Sequence, residues 1–193
     1  VGPSGSGKTT LLNVVGALDR PSGGKLFLDG VDLTEVPERR LYEVRRKKIG
    51  FIFQQFHLIP TLTALENVLM PVIPIKGNAR FRDQAEELFS LVGLEGMMDR
   101  KPSRLSGGEQ QRVAICRALI NDPEVLLCDE ITGELDSVTG RRVVRLLREI
   151  NRRRGVTVLL VTHDEKIASE SNRIVTLTDG AVYSDRTLSP HPS

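Results

Sequence analysis

The stretch Gly2-Pro3-Ser4-Gly5-Ser6-Gly7-Lys8-Thr9, followed by Thr10-Leu11-Leu12, constrains this chain more than any other. It fits the pattern G-x-x-x-x-G-K-[ST] without a gap and adds a glycine at Gly5. Glycines let successive backbone N–H groups turn inward around a polyphosphate. The helix that begins here aims its positive end at the same anion. In that arrangement Lys8 reaches the β- and γ-phosphates, and the Thr9 hydroxyl takes one position on Mg²⁺. A plain Gly/Ser turn ahead of a helix would not need that register of glycine, lysine and threonine. A loop of this kind joins a buried parallel strand to its helix, so it demands an α/β fold. Only Val1 precedes Gly2. The sequence therefore reads as part of a longer chain, lacking on the order of tens of residues at its start. Expressed alone, the 193 residues are expected to be poorly soluble and to bind ATP weakly.

The length suits one good-sized domain with room for an insertion. With 39% apolar and 27% charged residues, the composition is that of an ordinary globular protein. A net charge of +2 is too small to imply nucleic-acid binding across the whole surface. No apolar run approaches the ~18 residues of a membrane span, and no leader is visible. Cys116 and Cys128 each sit in an apolar context and read as reduced thiols. These features together point to a cytoplasmic protein.

Thr9 to Leu18 reads as the first helix, with Leu11, Leu12, Val14, Val15 and Leu18 available to a core. Asp29-Gly30 marks a hairpin between 25–28 and 31–33. A short helix from Pro37 leads to a buried strand over Ile49–Phe53. Phe81, Ala85, Leu88, Phe89 and Val92 share one helix face. Further strands follow at 124–128 and 157–162, the latter a continuous apolar run of the kind found in a sheet covered on both faces. A helix over 138–153 lies between them, and Asp179-Gly180 turns a closing hairpin. The organisation is a core segment at 1–56, an inserted helical subdomain at 57–107, a second core segment at 108–186 and a loose tail at 187–193.

Leu105-Ser106-Gly107-Gly108-Glu109-Gln110 is the second discriminating stretch. Ser106 and Glu109 have the spacing of a capping box, opening a helix through Val113, Ala114, Ile115, Ala118 and Leu119. A simple cap accounts for the serine and glutamate. It does not account for two helix-weakening glycines, which expose amides suited to an anion. With this stretch the chain resembles the ATP-binding-cassette (ABC) ATPases, whose LSGGQ-type signature it matches. Gly2–Thr9 resembles the Walker A loop, and Gln54 after Ile49–Phe53 the Q-loop glutamine. Val125–Glu130 resembles Walker B with its following carboxylate, Gly133-Glu134-Leu135-Asp136 the D-loop, and His163 the switch histidine. All six motifs come in the family's order across essentially the whole chain. Two departures stand out. Ile131 replaces the usual proline after the Walker B glutamate, which is expected to loosen the link from Glu130 to Asp136. The aromatic residue that stacks on adenine would lie before Val1.

The resemblance implies a P-loop NTPase fold: α/β, a RecA-like parallel sheet core, an inserted helical subdomain and a small antiparallel β portion. It implies ATP and Mg²⁺, with Gly2 to Thr10 around the phosphates and Thr9, Asp129 and Gln54 toward the metal. Glu130 then serves as general base, with Lys8 and His163 as further catalytic groups. A carboxylate at the end of an apolar strand, as at Asp129, is costly unless it meets a cation or donor. The signature Leu105 to Gln110 of one subunit closes over the ATP of another, with Asp136 beside it. That arrangement is a head-to-tail dimer; a homodimer satisfies it, and a heterodimer stays open as the alternative. A transmembrane permease is the implied partner, so membrane contact is indirect, at the cytoplasmic face, and no nucleic acid is expected. Lys47–Val68 looks like the lipoprotein-releasing and macrolide-exporter cassettes, which suggests export or envelope-directed work. The alternative is a non-transport ABC ATPase of DNA repair or translation. Repair members carry long coiled-coil or zinc-bearing insertions after the Q-loop, which this chain lacks, and translation-associated members usually carry two cassettes.

Overall fold

The computed structural model describes residues 1–75 and 79–188. They form two compact units, one of Val1–Arg45 with the segment from Leu160, the other Arg46–Leu159.

In the first unit, α1 (Lys8–Val15) follows the glycine loop. It is shorter than expected. The backbone turns left-handed at Ala17 (φ 53°), so Leu18 cannot continue the helix. Leu12 is buried from this helix, whereas Leu11 and Leu18 are 44% and 47% exposed. The hairpin β1 (Phe27–Leu28) and β2 (Val31–Asp32) forms at Asp29-Gly30 as expected, both turn residues having positive φ. The hairpin and α2 (Glu38–Lys48), which runs on into the second unit, enclose a small core of Ala17, Leu33 and Leu41.

The second unit is built on β3 (Ile49–Ile52) and β4 (Val125–Asp129), which pair in parallel from Ile49 opposite Val125 to Ile52 opposite Cys128. β5 (Thr157–Val161) completes the order β3-β4-β5 and leads out of the unit. The expectation that β5 is covered on both faces fails: Leu159 is 38% exposed and only Val161 is buried. Thr157 and Leu159, two residues apart on one face, are both exposed, so that face of the strand is open, and β5 is also the edge of the described sheet. Three helices of this unit, α3 (Ala64–Leu69), α4 (Ala79–Leu91) and α5 (Gly107–Leu119), pack on one another. Phe81, Ala85, Leu88, Phe89 and Val92 are all buried, as their spacing predicts. α6 (Ser137–Arg154) ends at Gly155 in the left-handed conformation, with three arginines in its last turn facing the negative pole.

The chain closes with α7 (Glu165–Ala168), β6 (Arg173–Thr178) and β7 (Ala181–Thr187). The last two form an antiparallel hairpin. β7 extends past Tyr183 to Thr187, the first residue of the expected tail, and the Leu188 N–H bonds the Asn172 carbonyl. The rest of that tail, 189–193, lies outside the described residues. Val1 lies beside β6, donating to the Val175 carbonyl at 2.8 Å and accepting from the Leu177 N–H at 2.8 Å. That pair of bonds is the parallel ladder pattern.

Candidate functional site

The loop Gly2–Gly7 is shaped by its glycines. Gly2 (φ 149°) runs so close to β6 that an added Cβ would sit 2.2 Å from the Leu177 carbonyl oxygen. Gly7 is left-handed (φ 88°) and caps α1 with no side chain, so the first amides of that helix have no side-chain acceptor. Lys8 is buried to 8% exposure, and its ammonium donates to the Gly2 carbonyl at 2.9 Å and the Pro3 carbonyl at 2.7 Å. Ser6 is 2% exposed, and its hydroxyl has no partner. Pro3, Ser4, Gly5, Thr9 and Thr10 are exposed around this lining. A buried cation, an orphaned hydroxyl and uncapped helix amides around one glycine loop fit a polyphosphate.

β4 carries Leu126, Leu127 and Cys128 fully buried and delivers Asp129 at its end. Glu130 then takes a left-handed backbone (φ 46°), rare for a residue with a side chain. That reversal turns it away from the direction the strand would give it, and such strain gathers at functional positions. Ile131 stands where the family usually carries proline. Its side chain is 1% exposed, so the loop after Glu130 is seated by an apolar contact with the core. Asp136 caps α6, accepting from the Val138 and Thr139 N–H groups at 2.9 and 3.0 Å. A hydrogen bond from the Thr139 side chain, followed by the Thr139 and Val138 N–H bonds, holds its carboxyl below the usual range. His163 lies exposed two residues past β5.

The capping box at Ser106 forms as predicted. The Ser106 N–H donates to the Glu109 carboxylate at 2.7 Å, and the Glu109 N–H returns to the Ser106 Oγ at 3.4 Å. The backbone bond from Ser106 is the main cause lowering the Glu109 pKa. Gln110 Nε2 ties back to the Leu105 carbonyl at 3.1 Å. The glycines also have a packing reason: a Cβ on Gly108 would sit 2.5 Å from the Thr139 methyl of α6. Gly107 faces Leu135 and the Phe56 ring.

Gln54 packs over Gly133 and donates from Nε2 to Glu134 at 3.4 Å. The structure thus brings the Q-loop, signature and D-loop residues of the second unit together. Two groups in this region escaped the sequence reading. Asn67, 0% exposed, holds the loop before α3: it accepts from the Ile59 N–H at 2.7 Å and donates to the Ile59 carbonyl at 3.2 Å. Arg117 donates to the carbonyls of Phe56 and His57. No local pattern flags either one. The capping box Thr63–Glu66 was also missed, although T-x-x-E ahead of an apolar run is its signature. Thr9, Asp129 and Gln54 each carry an oxygen donor of the hard type that Mg²⁺ takes.

Among the described residues, no helix is long and apolar enough to cross a membrane. The family model described as ABC transporter matches residues 1–133. The chain is 48% identical over 192 residues to the macrolide export ATP-binding/permease protein MacB of Burkholderia pseudomallei, covering 99% of this chain and 29% of that protein. It is 47% identical to the lipoprotein-releasing system ATP-binding protein LolD of Anaeromyxobacter dehalogenans, covering 96% and 78%. A dimeric structure of a post-hydrolysis state of the ATP-binding cassette MJ0796, bound to ADP and Pi, is similar with a TM-score of 0.85. It shares 45% identity, with 98% of this chain and 84% of that one covered; the protein of that name is from Methanocaldococcus jannaschii. With its six motifs in order on a P-loop α/β fold, the chain belongs to the ABC transporter family, as one of its ATP-binding cassettes.

Proposed function

We propose that this cassette binds and hydrolyses ATP, closes head to tail with a second cassette around two ATP molecules, and drives a transmembrane permease in export or envelope-directed work. The observation that carries the reading is the phosphate loop, where buried Lys8 and the partnerless Ser6 hydroxyl line a glycine cradle ahead of an uncapped helix. Lys8 and the loop amides bear the phosphate charge, and Thr10 follows in the first turn of α1. Thr9, Asp129 and Gln54 are the residues to hold Mg²⁺, which when bound offsets charge on the phosphates. Glu130 orients or deprotonates the attacking water, and His163 hydrogen-bonds that water or the γ-phosphate. Ser106 to Glu109 offer the capped helix start to the ATP of the partner cassette, where positive dipole stabilises spreading charge.

The family relation supports transport over repair or translation, and the names of MacB and LolD support the export or envelope direction. A permease partner places the cassette at the cytoplasmic face of a membrane. The direct test is Glu130→Gln. Steady-state phosphate release is expected to fall by about a hundredfold or more, while ATP binding and an ATP-dependent dimer in gel filtration persist. Turnover near that of the unaltered protein would remove Glu130 from the reaction.

A further inference from the structure

The loop after β3 is fastened to the signature helix at two places. Arg117, in the last turn of α5, donates from Nη2 to the Phe56 carbonyl at 2.8 Å and from Nη1 to the His57 carbonyl. At the other end of α5 the Phe56 ring abuts the first signature glycine, its Cζ 3.6 Å from where a Gly107 Cβ would lie. Phe56 therefore touches both ends of the helix, by its carbonyl and by its ring. His57 has a left-handed backbone (φ 48°), and its ring stands edge-on to Phe53 at 5.2 Å. A non-glycine residue keeps such a backbone only where its surroundings over-determine it. The Arg117 bond to its carbonyl is one such restraint. Gly107 is also faced by Leu135, whose neighbour Glu134 accepts from Gln54.

We infer that Arg117 is a positioning residue that makes the Gln54 loop and the signature helix move as one body, linking the two ATP sites of the dimer. The inference rests on the head-to-tail reading above. In that arrangement Gln54 serves the ATP of its own subunit, and the signature serves the ATP of the partner. A rigid tie between them passes the state of one site to the other. The tie suits arginine because its planar fork meets two successive carbonyls at once, which a single ammonium does less well. Arg117 acts through Phe56 and Gly107, and the phosphate loop makes no use of it.

The test compares the complete protein with Arg117→Met and Arg117→Lys. Three quantities are read: nucleotide binding at protein concentrations too low for dimers, hydrolysis rate against ATP concentration, and ATP-dependent dimerisation in the Glu130→Gln background. For Arg117→Met, nucleotide binding by the separate subunit is expected to stay unchanged. The rate curve loses its sigmoidal form, and kcat falls about tenfold, the scale of a typical coupling between sites. Arg117→Lys recovers part of both. An unaltered sigmoid and kcat in Arg117→Met would overturn the inference. So would a parallel loss of subunit nucleotide binding, since the residue would then only support the fold. If the protein with Arg117 intact shows neither a sigmoidal rate nor, in the Glu130→Gln background, an ATP-dependent dimer, the head-to-tail reading itself fails and the inference falls with it.

Discussion

At the scale of single residues, the phosphate loop holds a lysine inside the protein by giving its ammonium two backbone carbonyls. Burying a charge is costly unless it is paired and hydrogen-bonded, and here the bonds come from the loop it serves. A phosphate competes well for that ammonium because it brings full negative charge in place of carbonyl dipoles. Lys8→Met therefore removes both the loop tie and the phosphate contact. Its expected outcome is a loss of ATP affinity of at least about tenfold in equilibrium dialysis, the scale of one charge-assisted bond. Glu109 yields a pH prediction. Its folded-state carboxyl is held below the ordinary 4.5, chiefly by the Ser106 N–H. Its contribution to the cap is complete above the unfolded-state value and is lost as pH falls through the folded-state value. Protection of the 106–109 amides, corrected for the intrinsic exchange rate at each pH, should fall in a step on the acid side in the unaltered protein. Glu109→Gln, which carries no titrating carboxyl, should lack that step.

At the scale of elements, caps and buried amides decide where helices begin. α3 and α5 open with the same Thr/Ser-x-x-Glu box, one before the inserted helices and one at the signature. Asn67 extends this control into the loop before α3, where its buried amide pairs with both backbone groups of Ile59. Asn67→Ala leaves those groups without their partner at a buried site, so a loss of about 2 kcal/mol is expected in urea unfolding. A variant as stable as the original would mean that water replaces the amide. β5 is instructive for the opposite reason. A run of Val, Leu and Thr carries no mark of which strand lies beside it, so edge and centre look alike in sequence.

For the whole molecule, the head-to-tail arrangement makes a prediction that no single chain can meet. Lys8→Met lacks a working phosphate loop but keeps its signature, and Ser106→Arg keeps the loop but spoils the signature. Each alone is expected to be inactive as a homodimer. Mixed in equal amounts, they form heterodimers in which one of the two sites pairs an intact loop with an intact signature. Recovery of ATP hydrolysis on mixing, absent from either protein alone, is the expected result in a phosphate-release assay. No recovery would mean that each chain completes its own site.

The local grammar of this protein was legible in the residues. The glycine loop, the Ser106 box, the Asp29-Gly30 turn and the buried face of α4 depend on neighbours within a few positions, and each formed where its pattern lay. So did the family, because six short motifs in order carry their own spacing. Tertiary structure alone decided what those motifs touch. Arg117 reaches Phe56 and His57 across some sixty positions of sequence, Gln54 meets Glu134 across eighty, and Gly108 is small because Thr139 of another helix lies against it. Contacts of that range leave no periodicity to read, since a side chain's partner is chosen by packing in space and not by its place along the chain.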